Sequence, residues 1–172
     1  MTATANVQVQ GVKQTLKALK DIDPALRRAA IKEMKTAVQP MVNEVRSKMP
    51  NKPLDNWGEG GRLGWDVNQV RKSVKVKFGG RKVRGGSGNQ YPLLRLVIQS
   101  PAGAVFDIAG RRSNGRSPQG TAFINALTAD WGRASRTAWP TAEKHIQDVQ
   151  RGVLIAIDKA AAEVNKEIRR VN

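Results

Sequence analysis

Two long segments of the chain carry apolar side chains at helical spacing, and these two helices constrain every fold that the chain can adopt. In residues 24–49 apolar positions recur every three or four residues, and residues 140–170 repeat the pattern. Asp23 followed by Pro24 is typical of a helix start, and Pro40 inside the first segment predicts a kink or a break. The stripes consist of Leu26, Ala30, Met34, Val38, Met41, Val45 and Met49, and of Ile146, Val149, Val153, Ile157, Ala160, Val164 and Ile168.

Strand patterns lie between the two long helices. Residues 70–78 alternate apolar and basic side chains, which predicts a half-buried strand, and residues 91–99 are apolar enough for a central strand. We predict further strands at residues 7–9 and 104–109, and short helices at residues 12–20 and 122–131. The predicted fold class is α+β, a small antiparallel sheet of about three to four strands packed against two long helices plus short helices.

Length and composition narrow the protein class. The 172 residues predict a single domain over residues 1–172, with extended basic loops near residues 51–66, 79–90 and 110–120. Aromatic residues make up 5% of the chain, so we expect a core of aliphatic side chains and alanine. Cysteine is absent, which excludes disulfides and thiolate metal sites. With no apolar run of membrane-spanning length and no signal peptide, we expect a soluble protein made in the cytoplasm.

Residues suited to catalysis are sparse. His145 is the single histidine, and we interpret it as a helix-surface residue rather than as a general base. Asp55, Glu59 and Asp66 share one loop, where a cation site is conceivable but solvated carboxylates are the simpler interpretation. No nucleotide-binding glycine motif is present. We therefore predict no enzyme activity, no cofactor and no metal.

The charge is the most informative number for function. The formal net charge is +16, and residues 67–106 contain no acidic residue. Such a field favours acidic partners, which for this pattern are either nucleic acid phosphates or acidic protein surfaces, while a merely solvated strand face is the third alternative. Trp57 and Trp65 are either exposed until a neighbouring protein covers them at an interface or buried as a cap on the core beneath their loop. The candidate contact residues are Arg71, Lys72, Lys75, Lys77, Arg81, Lys82 and Arg84, with Arg111, Arg112 and Arg116 as a second cluster.

Three parts of the chain, taken together, resemble a known family. The first part is residues 7–12 followed by a long helix that ends at residues 47–50. The second is Gly-Arg-Leu at residues 61–63 with Val-Phe-Asp-Ile-Ala-Gly at residues 105–110. The third is Arg-Thr-Ala-Trp-Pro at residues 136–140. This order is similar to that of the tail-completion or neck proteins, often called minor tail proteins, of long-tailed bacteriophages. The chain departs from the family in having Met-Pro where the family has Ala-Pro, and in an insertion after Pro50.

The resemblance implies a structural role at the head–tail junction of a virion. Copies would form a ring, six-fold to match a tail tube, between head-closure proteins and the tail-terminator or tail-tube proteins, with no catalytic residues and no membrane contact. The basic loops would grip acidic neighbours or face the DNA that passes through. Buried Trp139 and Pro140 would set the entry of the last helix. The alternative function is non-specific nucleic-acid binding through the basic strand and hairpin.

Overall fold

The computed structural model describes residues 3–7, 17, 24–58, 60–61, 63–78, 94–112 and 115–171. In these residues we number the elements in chain order. They are β1 (Ala3–Val7), α1 (Pro24–Ser47), α2 (Val67–Ser73), β2 (Val74–Phe78), β3 (Leu94–Ile98), α3 (Pro101–Ile108), α4 (Pro118–Trp131) and α5 (Ala138–Val171). The α+β class predicted from the sequence is confirmed.

Helix α1 follows the apolar stripe of its sequence. Of the predicted stripe, Leu26 is half-buried and the other residues are buried. The helix runs from Pro24 to Ser47 without a break at Pro40, contrary to one of the two expectations for that proline. Proline removes the hydrogen bond to the carbonyl four residues earlier, here that of Thr36. Thr36 and Pro40 are both exposed, so water can satisfy that carbonyl and the helix continues.

Helix α5 is the second long helix, and its apolar stripe behaves as predicted over the residues whose side chains are described. Val149, Val153 and Ala160 are buried, and Ile146 and Ile157 are half-buried. The side chains of Val164 and Ile168 lie outside the description. No helix among the described residues combines the length and the apolar character that crossing a membrane requires.

The sheet has the strand order β1-β3-β2, in which β2 and β3 are antiparallel. Strand β3 is central and is buried at Leu94 and at residues 96–98, as its apolar sequence predicts. Strand β2 alternates between buried or half-buried apolar residues and the exposed Lys75 and Lys77, which is the predicted pattern of a half-buried strand. The first strand is Ala3–Val7, and of the strand predicted at residues 7–9 only Val7 lies within the described residues. The predicted helix at residues 12–20 lies outside the described residues except for Lys17, which is helical.

The strand predicted at residues 104–109 is wrong, because the chain forms helix α3 there. The Ser100 side chain accepts a hydrogen bond from the Gly103 amide at 3.3 Å, and Pro101 occupies the first turn, so the two residues start a helix. A short run that is apolar apart from Asp107 has no periodicity that separates a strand from a buried helix. A Cβ at Gly103 would lie 2.9 Å from side-chain carbons of Ile98 and Val70, so glycine permits the close packing of α3 in this place.

Two other boundaries differ from the sequence prediction. The strand predicted from residue 70 begins only at Val74, because residues 67–73 form α2. Asp66 caps α2 by accepting hydrogen bonds from the amides of Asn68 and Gln69 at 2.8 and 3.0 Å. Helix α4 begins at Pro118, four residues before the predicted start, because Ser117 supplies its N-cap.

The chain divides into two compact units. Unit 1 comprises Met1–Ala5, Met41–Lys75 and Leu96–Lys144, and unit 2 comprises Asn6–Pro40, Val76–Arg95 and His145–Asn172. The single domain over residues 1–172 stays a prediction. The candidate sites described next lie mainly in unit 1.

Five aromatic residues of unit 1 form one cluster, although the buried core of the described residues consists mainly of aliphatic side chains and alanine, as expected. The Trp57 ring lies 5.3 Å from that of Trp65 and 5.0 Å from that of Phe123. Phe106 continues the cluster, 5.5 Å from Trp65 and 5.7 Å from Trp131. Most of the few aromatic residues of the chain are therefore concentrated in one place, where tilted and edge-to-face contacts add to the stabilisation from burial.

Unit 2 brings α1 and α5 together through small residues. Ala30 and Ala160 are buried and share a cluster with Leu26. A Cβ at Gly152 would lie 2.6 Å from the Cβ of Ala37, so the two backbones approach closely at this position. Lys159 and Glu33, both exposed, form a long ion pair of 3.8 Å in the same unit.

Candidate interaction sites

Six residues of the predicted contact set are exposed and make up the first candidate site, and we call them the basic surface residues. Lys75 and Lys77 project from the same face of β2, as their two-residue spacing requires. Within the described chain none of the six lies within ion-pair distance of a carboxylate, although the charge of Lys72 helps to lower the pKa of Asp66. They are Lys72 on α2, Lys75 and Lys77 on β2, Arg111 and Arg112 after α3, and Arg116 before α4. The candidates Arg81, Lys82 and Arg84 lie outside the described residues.

Arg71 has a different position from the one its sequence suggests. It lies on α2 rather than on a strand, is half-buried, and donates through Nη2 to the Met49 carbonyl at 2.8 Å and to Asn51 Oδ1 at 3.2 Å. These bonds tie the segment that follows α1 to α2. Arg71 therefore has a structural role, and it also lines a pocket.

Trp57 and Trp65 are buried, so of the two alternatives for them the structure has the one in which they cap the core. The Trp57 indole N–H donates to the Leu63 carbonyl at 2.7 Å, and that of Trp65 donates to the Asn51 carbonyl at 3.0 Å. Both indoles thus fasten the loop to the core. Trp139, expected to be buried, is 48% exposed and donates to Glu143 Oε1 at 2.7 Å, and Pro140 is exposed as well.

The second candidate site is a cavity of about 490 Å³ in unit 1, which we call the cationic pocket. Its walls combine three basic side chains with aromatic and apolar ones, and none of the described residues that line it is acidic. A volume of this size is typical of a site for a small ligand or a few residues of a partner. The lining residues are Ser47, Lys48, Met49, Pro50, Asn51, Arg71, Phe106, Trp131, Arg136 and Thr137.

Arg136 is the central cation of this pocket. Its Nη1 donates to the carbonyls of Phe106 at 2.7 Å and Ala109 at 3.2 Å, and its Cζ lies 5.9 Å from the centre of the Phe106 ring. Its Nε and Nη2 are buried and have no hydrogen-bond partner among the described residues, and the same is true of Arg71 Nε. Burial lowers the pKa of the Arg136 guanidinium, while the nearby Asp107 carboxylate opposes that effect. Arginine nevertheless keeps its charge in proteins.

The third basic residue of the pocket, Lys48, is already paired. Its ammonium lies 3.0 Å from Glu44 Oε1 and donates to Thr141 Oγ1 at 3.0 Å. Glu44 also accepts from Lys144 at 2.9 Å. Lys48 therefore adds positive charge and a flexible stem to the pocket, but the unpaired donors belong to the two arginines.

Asp107 positions Arg136 and the start of α5. Its side chain is 2% exposed, and its Oδ1 accepts hydrogen bonds from the Thr137 amide at 2.6 Å, the Thr137 hydroxyl at 2.7 Å and the Ala138 amide at 3.1 Å. A carboxylate from α3 thus caps a helix that begins 31 residues later. Sequence reasoning missed both Asp107 and Arg136. A lone aspartate within an apolar run was the available signal, because a charge buried there requires partners.

The described candidates for catalysis or metal binding are an exposed or engaged set of side chains, namely His145, Asp55 and Asp66. His145 is half-buried and makes an interaction within the protein. Asp55 is exposed, Glu59 lies outside the described residues, and Asp66 is engaged as the cap of α2, whose backbone hydrogen bonds lower its pKa. Among the described residues no group of three histidine or acidic side chains has the arrangement that a metal ion needs.

Comparison of the chain with protein-family models, with curated proteins and with solved structures gives no match.

Proposed function

We propose that this protein has a binding and assembly role rather than a catalytic one, as a neck or tail-completion protein at the head–tail junction of a long-tailed phage. The observation that carries the assembly role is the set of basic surface residues, which are exposed and form no ion pair within the described chain. Such side chains attract an acidic surface and steer its approach. The location at the junction rests on the sequence resemblance described above.

In this proposal copies of the chain form a ring, six-fold if it matches a tail tube, and contact head-closure, tail-terminator or tail-tube proteins. The contact residues among the described ones are the six basic surface residues. Arg81, Lys82 and Arg84 would extend the contact from the segment between β2 and β3. The DNA that passes through the junction is a further acidic partner of the same surface.

The first experiment is electron microscopy of a lysate from a phage in which this gene is disrupted. We expect DNA-filled heads beside unattached tails, and joined particles after complementation with the intact gene. Normal joined particles from the disrupted phage would show that the protein does not complete the junction.

Complementation with charge variants tests the contact surface. The double variant K75Q/K77Q removes two exposed charges from β2, and we expect it to restore fewer joined particles than the intact gene. The matched control K32Q/K35Q removes two exposed lysine charges from α1 and should restore them fully. Equal titres from both variants would mean that the β2 lysines are not contact residues.

The alternating exposed lysines of β2 also favour a second candidate function, non-specific binding of nucleic acid. In that case affinity for a duplex of arbitrary sequence falls steeply with salt, and each phosphate contact contributes about 0.9 to the slope of log K against log salt. The triple variant K72Q/K75Q/K77Q should then lower the slope by up to about 3. A salt titration in which the intact protein shows no saturable binding at low salt would exclude this function.

A further inference from the structure

The guanidinium of Arg136 shows an unusual division of its hydrogen bonds. Nη1 is fully used by two backbone carbonyls, whereas the opposite edge, formed by Nε–H and Nη2–H, is buried without a partner among the described residues. That edge presents two parallel donors, which is the geometry that binds both oxygens of one carboxylate. Buried donors of a charged group are costly when unpaired, so a ligand that supplies acceptors is favoured here.

A second arginine points to the same kind of ligand. Arg71 also lines the cationic pocket, and its Nε is buried and unpaired in the described chain while Nη2 is held by Met49 and Asn51. The two guanidiniums approach the cavity from different elements, α2 and the segment before α5. Both side chains are anchored by backbone carbonyls, so their positions are set before a ligand arrives.

The remaining walls favour a protein group over a nucleic acid phosphate. Phe106, Trp131, Met49 and Pro50 give the cavity an apolar and aromatic surface that suits the carbon atoms next to a carboxylate. A phosphodiester carries hydrophilic sugars on both sides, and the phosphates of a duplex lie on a broad convex surface that does not enter a pocket of about 490 Å³.

We propose that the cationic pocket binds a carboxylate, carried on an apolar segment of a partner protein, at the two-donor edge of Arg136, with the Nε–H of Arg71 as a further donor. Because Nε and Nη2 of Arg136 have almost no exposed surface, the ligand reaches them when side chains at the pocket move. The inference concerns this pocket alone, so it holds or fails independently of a role at the head–tail junction.

The test uses short synthetic probes and the full chain labelled with ¹⁵N. The protein has four tryptophans, and the indole signal of Trp131, at the pocket wall, is assigned from the variant Trp131→Phe. The probes are acetyl-Leu-Phe with a free terminal carboxylate, the same peptide as carboxamide, acetyl-Phe-Glu amide with a side-chain carboxylate, and the dinucleotide TpT. We expect at least one carboxylate probe to shift the Trp131 signal saturably at millimolar concentration, and the carboxamide to bind at least tenfold more weakly. The better of the two carboxylate probes identifies a chain end or an acidic side chain as the source.

The variant Arg136→Lys keeps the charge but removes the two-donor edge, and we expect it to weaken the carboxylate probe at least fivefold. The matched control K32Q/K35Q, with charges removed from α1, should change the affinity less than twofold. If Arg136→Lys does not fold, Ser47→Phe serves as the second variant, because Ser47 is exposed and lines the pocket, so that the larger side chain fills it. Ligand-observed saturation transfer should then lose the signal of the carboxylate probe.

Three results would overturn the proposal. Equal binding of carboxylate and carboxamide would show an apolar pocket without anion recognition. Absence of a saturable shift with every probe would show no ligand site. Tighter binding of TpT than of either carboxylate probe would make the pocket a nucleic acid phosphate site.

Discussion

Replacement of Asp107 is the perturbation that most directly tests the hydrogen bonds between α3 and the start of α5. Asp107→Ala removes the acceptor of three hydrogen bonds, from the Thr137 amide, the Thr137 hydroxyl and the Ala138 amide. Loss of an N-cap costs about 1 kcal/mol, and each buried donor left unpaired costs about 1–3 kcal/mol. These two contributions overlap, so they are not summed. Removal of one charge from a buried pair, here the Asp107 carboxylate near Arg136, costs about 3–5 kcal/mol in total. We expect Asp107→Ala to lower the free energy of unfolding by about 4 kcal/mol, equivalent to about 8–16 °C in Tm.

Urea denaturation followed by tryptophan fluorescence is the appropriate assay, because all four tryptophans lie in unit 1 with Asp107. Asp107→Asn keeps one acceptor oxygen at the helix start, so we expect a smaller loss of about 1–2 kcal/mol. Asp130→Asn removes an exposed carboxylate from α4 and serves as the control, with an expected change of less than about 0.5 kcal/mol. A loss below about 1 kcal/mol for Asp107→Ala would refute the tertiary cap.

Three further substitutions test other parts of the fold. Gly152→Ala should lower the Tm measured by circular dichroism, because overpacking against Ala37 costs about 1–3 kcal/mol, more than the gain in helix propensity from glycine to alanine. Adding Ala37→Gly should restore the Tm. A rise in Tm for Gly152→Ala alone would contradict the close approach of the two backbones. Trp57→Ala should lose about 3–5 kcal/mol in urea denaturation while the exposed Trp139→Ala loses less than about 1 kcal/mol, and comparable losses would contradict their different burial. Asp66 has a lowered pKa in the folded protein, so its cap contributes stability above its ordinary pKa of 3.8 that is lost as pH falls through the folded pKa. The stability difference between the intact protein and Asp66→Asn should therefore narrow below about pH 3.8, and a constant difference down to pH 2 would refute this sign.

The long helices could be predicted from the sequence because their signals are local. A stripe such as Met34, Val38, Met41 and Val45 repeats at the helical period over many turns, and the structure buries it along α1. The alternation in β2, with Lys75 and Lys77 exposed, is equally local. Helix α3 could not be predicted in this way, because its eight residues are apolar apart from Asp107 and too few to show a helical period.

The candidate site was predicted only in part. The exposure of Lys75, Lys77 and the arginines near residue 111 follows from their charge. Arg71 and Arg136 line one pocket although they are 65 positions apart in sequence, and no local sequence pattern predicts that they do so. The burial of Trp57 and Trp65 was an open alternative in the sequence and was decided by the cluster with Phe106 and Phe123.

The sequence by itself determined the α+β class, the two long amphipathic helices and the excess of exposed positive charge, because periodicity and charge act over neighbouring residues. Only the tertiary structure decided that Asp107 caps α5, that five aromatic residues form one cluster, and that two arginines with unpaired donors line one pocket. These features depend on which distant segments exclude water from one another, and hydrogen-bond partners for buried polar groups are selected only when that burial occurs.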